Sequence, residues 1–154
     1  MTKAFQPVDQ VERERIKHDL NTTFLVEAGA GSGKTASLVE RMISLILSGK
    51  AKAGEIAAIT FTNKAADEMR ERFRIRLEDE LGLAEGAEAD RFRQAAEEMN
   101  QCFIGTIHSF CASLIRERPI EAGIDPAFAE MDDDQDQAFR DRCWDEYMTA
   151  LKVE

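Results

Sequence analysis

The stretch VEAGAGSGKTASLVERM (26–42) decides the fold. An apolar run ends in a glycine-rich turn, and the turn opens directly into a helix-forming run. Glycines at 29, 31 and 33 let backbone N–H groups point inward as an anion-binding nest at a helix N-terminus. Lys34 sets a cation against the β- and γ-phosphates of a nucleotide, and the Thr35 hydroxyl can ligate Mg²⁺. Ala28 occupies a position that the strict form of this pattern gives to glycine. That position only starts the turn, so Ala28, Gly29, Ala30, Gly31, Ser32, Gly33, Lys34 and Thr35 together make the candidate triphosphate loop. The motif is strong for nucleoside triphosphate binding and weak for what the energy is used for.

Upstream, TTFLVEA (22–28) is apolar and β-branched and reads as a buried strand. Before it, VDQVERERIKHDL (8–20) reads as a short amphipathic helix. Downstream of the loop, Leu38, Val39, Met42, Ile43, Leu45, Ile46 and Leu47 predict a largely buried helix that Ser48 and Gly49 stop. IAAITF (56–61) predicts a second strand, apolar throughout as in a parallel sheet covered on both faces. Ala65, Met69, Phe73, Leu77 and Leu81 recur every four residues and predict one long helix from Asn63 with a single apolar stripe. A connector to residue 89 and a helix over 91–100 follow. CFIGTI (102–107) predicts a third strand, and Ile107, Phe110, Cys111, Leu114 and Ile115 predict a helix ended by Pro119. FAEMD (128–132) reads as a weak extended piece, and 132–134 as the cap of a last helix ending near Leu151. Strands alternating with helices make this an α/β chain with a parallel sheet. Three strands are few for a complete domain of that class, so the expectation is the front part of something larger.

The 154 residues amount to about one domain. Hydrophobic residues at 44% can fill a core, while 32% charged residues and a negative mean hydropathy predict a soluble protein. No apolar run could span a bilayer, and MTKAFQPVDQ has no signal-peptide core, so the expected compartment is the cytoplasm. The net charge of −10 argues against nucleic acid only if taken globally. Binding follows the local field, and arginines at 70, 72, 74 and 76 form a basic run beside acidic stretches at 78–88 and 130–146. Three cysteines without metal-type spacing read as reduced and structural, with Cys111 expected inside the apolar face of its helix.

Two further stretches, ITFTNKAADEMRERF (59–73) and FIGTIHSFCASLIRERP (103–119), begin at the C-terminal ends of strands, the edge where open parallel sheets present their ligand-contacting loops. Phe61, Thr62, Asn63 and Lys64 supply an aromatic, a hydroxyl, an amide and a cation in succession. Thr106, His108 and Ser109 follow the second strand in the same manner. An aromatic to stack a base beside short polar donors is the chemistry of a single-strand track. Composition alone favours a core place for Phe61, a capping role for Thr62 and Asn63, and a solvated face for the arginine run.

AGAGSGKT, ITFTNKAADEMRERF and GTIHSFC, in this order, resemble the first motifs of UvrD/Rep-type superfamily 1 DNA helicases. DQVERERI and LIRERPIEAGIDPAFAEMDD are more similar still to the RecB/AddA branch, the motor subunits of ATP-dependent exonucleases. The resemblance covers residues 8–135. It implies a RecA-like P-loop NTPase lobe, partial over 1–118, with the start of a helical insertion over 119–154. It also implies an adenine-binding role for Gln10, a triphosphate and Mg²⁺ grip at 28–35 with Lys34 and Thr35 catalytic, and coupling to single-stranded DNA through 60–65, with Phe61 as the stacking residue. Residues 105–110 match the next DNA-contacting motif, and 78–100 match none. The implied ligands and partners are ATP, Mg²⁺, single-stranded and duplex DNA, and a second helicase–nuclease subunit.

Hydrolysis in that family also needs an Asp-Glu pair at the end of a later strand. MDDDQDQ (131–137) follows no convincing strand and reads as a helix-capping acidic run. The expectation is therefore the N-terminal part of a DNA helicase or helicase–exonuclease, inactive in hydrolysis as an isolated piece. The alternatives are a small P-loop phosphotransferase, whose basic lid could only be the 70–76 run, and a non-catalytic nucleotide- or DNA-binding module.

Overall fold

The computed structural model describes residues 8–29 and 31–151, so the candidate loop residue Ala30 lies outside the described residues. Among those described, six α-helices and two strands follow in the order α1 (Gln10–His18), α2 (Lys34–Leu47), β1 (Ala57–Thr60), α3 (Asn63–Leu83), α4 (Gly86–Glu97), β2 (Phe103–Thr106), α5 (Ile107–Glu117) and α6 (Asp133–Leu151). The class is α/β. The chain divides after Ala112 into two compact units.

In the first unit, β1 and β2 pair in parallel, with Ala57 opposite Phe103 and Thr60 opposite Thr106. α3 and α4 form the crossover between them, and α3 packs on both strands, on α2 and on α4. The four-residue apolar spacing of α3 works as expected: Met69, Phe73 and Leu77 are buried, and Phe73 has no exposed surface. They meet Val39, Met42, Ile43 and Ile46 of α2, Phe92 of α4, and Ala58 and Ile104 from the register-matched centre of the sheet. α4 begins at Gly86, inside the expected connector, because Gly86 takes a φ of 59° that turns the chain into the new helix.

Three expectations need correction. Residues 23–28 do not form a strand. They run without a backbone–backbone hydrogen bond to any other described residue, and Leu25 is 90% exposed. An apolar segment becomes a strand only when a neighbour takes up its N–H and C=O groups, and the described residues offer none. The sheet is also buried on one face rather than two, since Ala57 and Ile59 are exposed while Ala58 is buried. Finally, Cys111 is exposed and Cys102 is the buried thiol. The apolar pattern of α5 places only Ala112 fully inside.

The second unit holds the end of α5, an irregular stretch and α6. Residues 128–132 form no strand with any other described residue, so the expected extended piece joins no sheet. Arg116 bonds Glu130 and lies 5.2 Å from the Phe128 ring. Asp132 accepts from the Gln135 N–H at 2.8 Å, and the Gln135 side chain accepts from the Asp132 N–H at 3.3 Å. This reciprocal capping box starts α6 and absorbs the acidic run. No helix among the described residues is long and apolar enough to cross a membrane.

Candidate functional site: a phosphate loop and the end of the sheet

The loop is shaped by two glycines in the left-handed region, Gly31 at φ 75° and Gly33 at φ 88°. Only glycine adopts this backbone at no steric cost, and it turns successive peptide groups toward one concavity. Gly33 ends the turn as the residue before α2, and no side chain caps the helix there. The first N–H groups of α2 therefore lack a side-chain acceptor, and the positive end of the helix faces the loop. The buried Ser32 Oγ has no hydrogen-bond partner among the described residues. These features fit the polyphosphate of a nucleotide with its Mg²⁺. Lys34 Nζ donates to the carbonyls of Ala28 and Gly29 at 2.6 and 2.8 Å, which folds its charge over the mouth of the loop. Thr35 stands half-buried in the first turn of α2, a place from which a hydroxyl can serve a cation.

Gln10 is the first residue of α1, and its amide donates to Glu14 at 2.6 Å. Between α1, residues 20–28 and the start of α2 lies an open cavity of about 880 Å³, lined in part by Phe24, Ala28, Ser32 and Lys34. The cavity is large enough for a nucleotide-sized ligand. Residues beyond the motif hold its walls. Arg41 donates to the carbonyls of Ile16, Asp19 and Thr22 and stands 5.2 Å from the Phe24 ring, on which Arg15 also stacks. Arg13 donates to the Ser32 carbonyl at 2.6 Å and is bound by Asp9, whose carboxyl its hydrogen bonds hold below the usual carboxylate range. Neither arginine belongs to a loop motif. The only sequence signal for Arg13 is an Asp9–Arg13 pair at helical i, i+4 spacing.

The second group of candidates gathers where β1 and β2 end side by side, because Thr60 and Thr106 are register partners. Phe61 leaves β1 at 95% exposure, so the core place that composition favours is not taken. Thr62 does cap α3, accepting from the Ala65 N–H at 3.2 Å, and Asn63 and Lys64 are exposed in the first turn. At the end of β2, the Thr106 N–H donates to Ser109 Oγ at 3.0 Å, and the Ser109 N–H donates to Thr106 Oγ1 at 3.3 Å. This mutual cap starts α5 and leaves His108 exposed. Gly105 makes the turn possible: a Cβ there would lie 2.8 Å from the Phe103 ring and 2.9 Å from Ser109 Oγ. Arg70 is tied to Asp67 and the Ile104 carbonyl, Arg74 to Glu71 and Glu78, and Arg76 to Glu40 and Glu80.

Residues 8–152 match the family described as UvrD/REP helicase N-terminal domain. A protein of Ligilactobacillus salivarius, named as a subunit of an ATP-dependent helicase/nuclease, is 36% identical over 136 residues, which cover 87% of this chain and 11% of that protein. Proteins of the same name from Heliobacterium modesticaldum and Syntrophomonas wolfei are 41% identical over 126 residues and 39% identical over 118. Those alignments cover 82% and 77% of this chain, and 9% of each relative. The chain thus spans about a tenth of the length of the relatives it matches. With the loop, the sheet end and a match over every described residue in agreement, the chain belongs to the UvrD/REP helicase N-terminal domain family.

Proposed function

We propose that this chain is the ATP grip of a DNA motor. In this reading it is part of a RecA-like P-loop NTPase lobe over 1–118 and the start of a helical insertion over 119–154. The whole protein is an ATP-dependent DNA helicase of the helicase–nuclease kind, acting in repair and recombination in the cytoplasm beside a second helicase–nuclease subunit. Gln10 reads the adenine, residues 28–35 hold the triphosphate, and Lys34 and Thr35 serve the γ-phosphate and Mg²⁺. Phe61, Thr62, Asn63, Lys64, Thr106, His108 and Ser109 touch single-stranded DNA. Mg-ATP, when bound, supplies the phosphoryl chemistry, and the protein supplies donors and charge around it.

The observation that carries this reading is the pairing of β1 with β2 at Thr60 and Thr106, which puts both polar segments at one sheet end with Phe61 fully in solvent. A small phosphotransferase would need several free arginines in the 70–76 run; Arg70, Arg74 and Arg76 are engaged within the fold, which leaves the exposed Arg72 as the one candidate there.

The test is Lys34→Ala. It lowers the affinity of the chain for a fluorescent Mg-ATP analogue at least tenfold, because a charge-assisted contact to phosphate is lost. In the whole protein it abolishes unwinding while most of the DNA affinity remains. Wild-type nucleotide affinity in this variant overturns the reading, and nucleotide binding without any unwinding by the wild-type whole protein favours a non-catalytic module.

A further inference from the structure

Arg13, which with Asp9 lines the open cavity beside α1, binds the phosphate loop through the loop's backbone. Its Nη2 donates to the Ser32 carbonyl at 2.6 Å. The same guanidinium is held by Asp9, Nε to Oδ1 at 3.0 Å and Nη2 to Oδ2 at 2.8 Å, a two-point grip that fixes the plane of the fork. Its remaining terminal nitrogen packs over the loop backbone, where a Cβ on Gly33 would come within 3.0 Å of Nη1. The arginine side chain is only 27% exposed.

The peptide joining Ser32 to Gly33 is trans, so its C=O and N–H point in opposite directions. With the carbonyl held on Arg13, the Gly33 N–H faces away from α1. An inverted peptide would offer an oxygen where an anion-binding loop needs a donor. Glycine has no Cβ to resist that inversion, so the orientation has to be imposed by a neighbour. Asp9 also neutralises the guanidinium, which removes its pull on any particular phosphate.

We infer that Asp9 and Arg13 are positioning residues for the phosphate loop: Arg13 sets the orientation of the Ser32–Gly33 peptide, Asp9 sets Arg13, and neither touches the nucleotide. The inference rests on the reading of residues 28–35 as a triphosphate grip. Its signature is a loss of affinity that is the same for ATP and ADP, since the peptide is misaligned for both.

The test titrates fluorescent ATP and ADP analogues, with Mg²⁺, into the 154-residue chain and its variants, and records melting temperatures alongside. Arg13→Ala is expected to weaken both nucleotides about tenfold, the scale of one lost charge-assisted hydrogen bond. Asp9→Asn is expected to weaken both about threefold, and the double variant to be no worse than Arg13→Ala, because Asp9 acts through Arg13. Arg13→Lys keeps the charge but loses the planar fork that meets Asp9 and Ser32 together, and is expected to recover only part of the affinity. A loss for ATP more than about threefold greater than for ADP would make Arg13 a phosphate ligand and overturn the inference. Unchanged affinity with a lowered melting temperature would make it a packing contact and do the same. If Arg13→Ala does not fold, Asp9→Asn decides by the same ATP-to-ADP comparison. Failure of the underlying reading looks different: Lys34→Ala binds like the wild type, or neither nucleotide saturates the wild-type chain, and the inference falls with it.

Discussion

Phe61 is 95% exposed immediately after a strand whose Ala58 is buried. Leaving a phenyl ring in water forgoes roughly 2 kcal/mol of burial, so nothing in the packing of this chain accounts for the ring. The stacking role proposed above would account for it. Phe61→Ala is expected to weaken single-stranded DNA binding by about 1–3 kcal/mol while changing unfolding stability by less than about 0.5 kcal/mol. Fluorescence anisotropy with a labelled oligonucleotide and a urea titration read the two quantities, and unchanged DNA affinity removes Phe61 from the track. The cysteines differ as sharply from one another. Burial pushes the Cys102 thiol up to about 11, only partly opposed by the Arg70 charge, and its Sγ sits 3.7 Å from the Ile56 carbonyl. Cys111 and Cys143 are exposed. Thiolate is the reactive form, so iodoacetamide at pH 8 is expected to modify Cys111 and Cys143 in the native chain and Cys102 only after denaturation. Mass spectrometry of the digested protein reads the sites, and rapid native alkylation of Cys102 contradicts its burial.

At the scale of elements, Glu40 of α2 joins three helices. Its carboxylate meets Lys17 of α1 at 2.8 Å and Arg76 of α3 at 2.7 Å, and Arg76 also bonds Glu80 at 2.6 Å. The Arg76 hydrogen bond, with help from Lys17, holds the Glu40 carboxyl below its ordinary 4.5 against the opposing effect of partial burial. A carboxyl lowered in the folded state stabilises the fold above its unfolded pKa, and that contribution is lost as pH falls through the folded value. Glu40→Gln is therefore expected to cost about 1 kcal/mol near pH 7, and the gap from wild type should close below pH 4.5. Melting curves between pH 3 and pH 7 measure it; a gap that does not narrow at all between pH 4.5 and pH 3 rules the linkage out. None of this network is legible in the sequence, because Lys17, Glu40 and Arg76 lie on separate helices and only packing brings them together. By contrast α3 is legible almost to the residue, since helical hydrogen bonds are local and its apolar stripe repeats every four positions. Residues 23–28 carry the composition of a strand, yet composition cannot supply the neighbour that would make them one.

Across the whole molecule, the proposed phosphate loop is readable because its signal is local: glycines, a lysine and a threonine in fixed order before a helix. Its support by Arg13 is not, because the Ser32 carbonyl lies nineteen residues further along the chain. The same division between local and distant parts bears on catalysis. Speeding phosphoryl transfer takes more than a grip; it takes a carboxylate to place the attacking water and further positive charge on the developing transition state. The one acidic run that looks like such a carboxylate pair, 131–137, is spent on the start of α6, where Asp132 caps the helix and Asp136 pairs with Arg140. Asp133, Asp134 and Asp136 all sit in the first turn of that helix rather than at a strand end. The 154-residue chain is accordingly expected to bind Mg-ATP yet turn it over at no more than background rate, with no acceleration on adding single-stranded DNA. A phosphate-release assay with and without an oligonucleotide measures this. Turnover at ordinary enzyme rates, about 1 s⁻¹ or faster, would show that these residues alone complete the catalytic set.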